Sequence, residues 1–196
     1  MIKTTKMLLD EYSNYASPKN KIQRLVKDKQ LFPIIKGLYE TDQNAGNYFL
    51  ASAVCGPSYL SFDFALAHYG LIPEIIHACT SATYDKGKTK RFKTTFGYFV
   101  YHDVPKDAFP YGIQFVREGE YAYCIASPEK ALCDKLYTLH PLKNADELKE
   151  VLLEELRIPN FMLYDLKKKD ISFLTKKYRC KNIYLLDELL RRDYND

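Results

Sequence analysis

Tryptophan is absent from this 196-residue chain. No apolar run approaches the ~20 residues that a membrane-spanning helix requires, so no membrane partner is expected. No C-x-x-C or H-x-x-x-H pair occurs, and His68, His77, His102 and His140 are scattered, so no metal site is expected. Glycine-rich phosphate loops of the Walker or dinucleotide type are missing too, and no cofactor is expected. The cysteines, Cys55, Cys79, Cys124, Cys133 and Cys180, are odd in number and mostly lie in apolar runs. They read as reduced, buried thiols. Met1-Ile2-Lys3-Thr4-Thr5 starts no signal peptide. The expected compartment is the cytoplasm.

What is present is an ordinary globular composition, 46% hydrophobic, with 17 tyrosines. A tyrosine can bury its ring while its hydroxyl stays wet, so boundary packing accounts for most of them. The formal net charge of +4 says less than its distribution. Lys19, Lys21, Arg24, Lys27 and Lys29 form one basic cluster. Lys86, Lys88, Lys90, Arg91 and Lys93 form a second, and Lys167 to Lys181 carries a third. Clustered positive charge attracts polyanions at long range. For any single cluster, a solvated surface is the plain alternative.

The first segment reads helix, turn, helix, hairpin. Thr4 or Thr5 can cap a helix carrying Met7, Leu8 and Tyr12. Ser17-Pro18 opens a second helix, because proline fits a first helical turn. Its apolar stripe is Ile22, Leu25 and Val26, and the opposite face carries Asn20, Gln23, Arg24 and Lys27. Two apolar runs around Lys36-Gly37 predict a β-hairpin. A polar break, Asp42 to Gly46, then marks a domain boundary. Helices are expected from Tyr48 to Val54 and from Ser58 or Ser61 to Gly70, followed by a strand-rich region to Ile125. Four helices follow: Pro128–Leu139, Asp146–Leu156, Asp170–Tyr178 and Asn182–Arg192. Strands clustered between blocks of helices predict an α+β fold rather than a parallel α/β sheet.

A helix with a basic outer face followed by a hairpin is the plan of a winged helix. Asn20, Gln23, Arg24 and Lys27 would reach DNA from the helix, and arginine and amide side chains are the ones that read base edges. Lys19, Lys21 and the turn residue Lys36 would hold phosphates. The alternative is an amphipathic helix with an ordinary charged surface. Ser127-Pro128-Glu129-Lys130 matches the S-x-x-K nucleophile motif, but its companions S-D-N and K-T-G are missing. Ser before Pro before an apolar run is instead a helix cap. His102-Asp103 supplies half of a general-base pair with no identifiable nucleophile. No catalytic residue is assigned.

Two runs together resemble a known family. One is Pro57-Ser58-Tyr59-Leu60-Ser61 with Ala65-Leu66-Ala67-His68-Tyr69-Gly70-Leu71-Ile72-Pro73-Glu74. The other is Ile125-Ala126-Ser127-Pro128-Glu129-Lys130-Ala131-Leu132-Cys133-Asp134. Arg91-Phe92 and Gly97-Tyr98-Phe99 lie between them. The pattern is similar to the AbiEi antitoxins of type IV toxin–antitoxin (abortive infection) systems, over about residues 4–140. The resemblance implies an N-terminal winged helix that represses the protein's own operon. It also implies a larger domain that opposes a nucleotidyltransferase-like toxin, without requiring a stable complex. It implies no catalytic residues.

In that frame Thr4 to Leu8 begins the family's second helix, so the first helix has no counterpart. The expected architecture is a reduced winged helix over residues 1–43. An α+β domain over residues 44–196 follows, with a mainly antiparallel sheet and C-terminal helices. Without the first helix, Ile22, Leu25 and Val26 need cover from residues 47–54, from the C-terminal helices, or from a second copy in a homodimer. Three functions compete: an antitoxin that binds operator DNA, a stand-alone winged-helix transcriptional regulator, and a metal-dependent nuclease.

Overall fold

The structure, a computed structural model, describes residues 1–194. Strand β1 (Ile2–Thr4) leads into helix α1 (Thr5–Glu11), where the Thr4 hydroxyl accepts the Met7 N–H at 3.2 Å. That bond satisfies one of the donors a helix start leaves open. Helix α2 (Pro18–Lys27) begins where Ser17-Pro18 predicts, although the Ser17 hydroxyl makes no capping bond. Strands β2 (Phe32–Ile35) and β3 (Leu38–Glu40) form the expected hairpin. Its turn needs Gly37 at φ +85°, a conformation a side chain would resist. β1 pairs with the far edge of β3, giving the antiparallel order β1-β3-β2.

Side chains alternate across a strand, so this small sheet has two faces. Helices α1 and α2 cover one, where Leu8, Ile22, Leu25 and Leu31 make a buried cluster. Ile34 and Leu38 join the larger core of the molecule. The cover expected from residues 47–54, the C-terminal helices or a second copy therefore comes from within the segment itself. Ile22 and Leu25 are only 5% and 8% exposed, while Val26 stays half-buried. Apolar packing also continues across the polar break near residue 43.

The larger part begins with α3 (Asn47–Val54), β4 (Tyr59–Leu60) and α4 (Phe62–His68). Strands β5 (Ala78–Thr83), β6 (Lys90–Thr94), β7 (Gly97–Asp103), β8 (Ile113–Glu118) and β9 (Tyr121–Ala126) follow. The six strands line up as β6-β7-β5-β4-β9-β8. Pairing is antiparallel at β6/β7, β5/β4 and β9/β8, and parallel at β7/β5 and β4/β9. The fold is α+β, with a mixed large sheet.

Helix α5 (Pro128–Tyr137) leaves β9 and packs against α4, α8 and α9. Ser127 caps it, accepting the Lys130 N–H at 3.2 Å. Helix α6 (Ala145–Glu150) widens into a π-helical turn (Val151–Glu155), and α7 (Asn160–Tyr164), α8 (Lys168–Tyr178) and α9 (Lys181–Asp193) complete the helical layer. Among the described residues, no helix is long and apolar enough to cross a membrane. All five cysteines are free, but only Cys79 and Cys133 are fully buried; the other three are half-buried.

Candidate nucleic-acid interface

An α-helix turns about 100° per residue. From Lys19, that rotation places Gln23, Lys27, Asn20 and Arg24 on one continuous face of α2, with Ile22, Leu25 and Val26 on the other. The structure shows this division. Lys19, Asn20, Gln23, Arg24 and Lys27 are exposed, while Ile22 and Leu25 are buried. Arg24 is 78% exposed, and its ion pair with Asp28, 3.7 Å away, is loose. An exposed pair of that kind contributes at most ~1 kcal/mol and yields to a phosphate. Lys36 is exposed at the hairpin turn. Gln23 and Lys36 flank a groove of about 350 Å³ between α2 and the hairpin, lined by Ile22, Val26, Pro33, Ile35 and Tyr39.

Lys21 departs from this group. It is half-buried, and its amine sits 5.2 Å from the centre of the Tyr15 ring and 5.9 Å from that of Tyr12. A cation over an aromatic face is attracted by the ring quadrupole. The contact braces the α1–α2 turn and takes Lys21 off the outward face. Spacing alone hides this, because the two tyrosines lie on the preceding helix and its turn.

The other basic clusters occupy different places. Lys86 turns its amine to the Gly56 carbonyl at 3.2 Å, and Lys93 lies 5.6 Å over Tyr98. On α8, Lys177 covers Tyr111 and Phe173. Lys169 and Lys176 are exposed on α8 and, with Lys168 and Arg191, line a separate groove there.

Beneath the sheet lies a polar centre absent from the sequence reading. Asp134 and Lys130 on α5 are both fully buried, 3.4 Å apart. Asp134 accepts hydrogen bonds from the Ser61 hydroxyl at 2.6 Å, from the Tyr59 hydroxyl at 3.0 Å, and from Tyr178. The Lys130 amine donates to the Ala108 carbonyl at 2.9 Å and to Tyr178. Burial, then the Asp134 charge, pushes both tyrosine hydroxyls well above their ordinary range, so they remain donors. Burial lowers the Lys130 amine, and Asp134 opposes that shift. Ser127 holds a backbone N–H and Lys130 points elsewhere, so the S-x-x-K residues form no nucleophile–base pair. Pro57–Glu74 and Ile125–Asp134, distant in sequence, meet at this centre.

His102 and Asp103, at the end of β7, meet residues the sequence did not connect with them. Thr89 places its hydroxyl 3.2 Å from His102 Nδ1. Burial, then the nearby Arg91 charge, lowers the imidazole from its ordinary value of 6.5. Above pH 6.5 the ring is neutral in both folded and unfolded chains. As pH falls from 6.5 toward the lower folded value, the unfolded chain takes up the proton first, and stability is lost. Urea unfolding from pH 7.5 to 5 is expected to show a falling midpoint, with a shallower fall for His102→Gln. Equal slopes would remove His102 as a cause. Among the described residues, no group of three His, Cys, Asp or Glu side chains is placed to hold a metal ion.

No family model matches the chain, and comparison with the curated proteins finds no match.

Proposed function

We propose that this protein is a DNA-binding regulator of the antitoxin type that its sequence resembles, acting in the cytoplasm. The observation that carries the DNA-binding part is the continuous exposed face of Lys19, Asn20, Gln23, Arg24 and Lys27, with Lys36 at the neighbouring hairpin turn. A major groove admits a helix, and asparagine and glutamine are among the side chains that pair with base edges. The lysines and Arg24 supply phosphate contacts that set register. Leu8, Ile22, Leu25 and Leu31 pack α1 and α2 together behind that face.

The antitoxin part rests on the two resembling runs. Its functional partner is a nucleotidyltransferase-like toxin encoded beside it. Growth of cells expressing the adjacent reading frame, alone and with this protein, tests it. The expected result is arrest by the neighbour alone and recovery with the pair. A harmless neighbour, or arrest that persists, removes the antitoxin part and leaves a stand-alone transcriptional regulator, which the α2 face supports equally. Removing residues 1–43 is a poor probe of the winged segment, because Ile34 and Leu38 belong to the larger core. Surface substitutions on α2 are the cleaner variants.

A further inference from the structure

An open cavity of about 690 Å³ lies between three segments of the larger part. The β5–β6 connection contributes Gly87, Lys88 and Thr89, the end of β7 contributes His102 and Asp103, and the end of α5 contributes Tyr137 and Thr138. The volume falls within the range of about 300–1,000 Å³ found for small-molecule sites.

Its walls carry three kinds of group. The first is a cationic and hydroxyl-bearing side. Lys88 is exposed, and the Thr89 hydroxyl lies against His102. Arg91 is close enough for its charge to act on His102. Asp63 and Lys135 pair with each other at 2.6 Å. The second is Asp103. Its Oδ2 accepts the N–H groups of Lys86 at 2.8 Å and Gly87 at 2.7 Å, which fixes the basic loop. The third is Tyr137, 37% exposed, an aromatic face at the lip.

Strain accompanies these groups. Phe62 is buried yet holds φ at +55°, and its ring meets His102 edge-on at 5.1 Å. A bulky residue in the left-handed region is an outlier, and such residues gather at functional sites. Here the strained residue forms the wall behind the imidazole.

We propose that this cavity binds a free nucleoside monophosphate. The phosphate lies toward Lys88, Thr89 and His102, and the base stacks on Tyr137. Phosphate and base each meet a group suited to them. Inorganic phosphate alone would use only the first. This assignment is independent of DNA binding by α2.

The test is calorimetric titration of the full chain with AMP, GMP, CMP and UMP, and with inorganic phosphate and the matching nucleosides. At least one nucleotide is expected to bind, with phosphate and the nucleoside each at least tenfold weaker. Stacking on an aromatic side chain is worth ~1–3 kcal/mol per base, so Tyr137→Ala should weaken binding about five- to a hundredfold. Tyr137→Phe should retain the affinity. Lys88→Ala, at an exposed position that leaves the fold intact, should weaken binding at least fivefold. The assignment is overturned if no nucleotide binds at millimolar concentration. It is also overturned if phosphate binds as tightly as the nucleotides, or if Lys88→Ala binds like the parent.

Discussion

Lys130→Met is expected to lower unfolding stability by about 3–5 kcal/mol, the range for removing one partner of a buried ion pair. The substitution nearly conserves volume, so the loss comes from charge rather than from a cavity. It leaves the Asp134 carboxylate in the core without its cation. Three hydroxyls, from Ser61, Tyr59 and Tyr178, still solvate it. They soften the loss but carry no counter-charge. In a protein of this size each kcal/mol shifts the melting temperature by about 2–4 °C, so a drop of about 6–20 °C should be read directly. Replacing both members, as Lys130→Met with Asp134→Leu, should cost less than the two single losses added together, since contacting residues couple. The check is chemical unfolding of the four proteins in one cycle. If Lys130→Met falls within about 1 kcal/mol of the parent, below the range for breaking a buried pair, the buried pair does not organise the core.

Arg24→Ala combined with Lys27→Ala is expected to weaken operator binding between about tenfold and a hundredfold near 0.1 M salt. Each phosphate neutralised by a cation releases condensed counterions and adds roughly 0.9 to the slope of log K against log salt. Two contacts therefore account for a slope loss of about 1.8 and nearly two decades of affinity. Both side chains are exposed on the outer face of α2 and lie outside the cluster of Leu8, Ile22, Leu25 and Leu31. The double variant should keep the parent's melting temperature, which separates lost binding from lost folding. The measurement is a salt series of binding isotherms on the DNA upstream of the gene. Unchanged affinity and slope would show that α2 does not face DNA. Lys21→Ala, by contrast, should change the slope little, because its amine already lies over Tyr12 and Tyr15.

The sequence by itself determined the elements whose signals are local. Ser17-Pro18 and the Ile22, Leu25, Val26 stripe fixed α2 and its two faces. Lys36-Gly37 between apolar runs fixed the hairpin, and Ser127-Pro128 fixed the start of α5. Each signal lies within a few residues of the structure it produces, because capping, helical periodicity and turn conformation are near-neighbour effects. The tertiary structure decided the rest. β1 and β4 are too short to show any periodicity, and they exist because β3, β5 and β9 offer edges to pair with. The parallel pairings at β7/β5 and β4/β9 join segments separated by other elements. The same is true of the sites. Nothing local links Ser61 and Tyr178 to Asp134, or Tyr137 and Lys88 to His102. Those meetings follow from packing apolar faces of distant elements into one core, and only that packing sets which polar groups are carried inside with them.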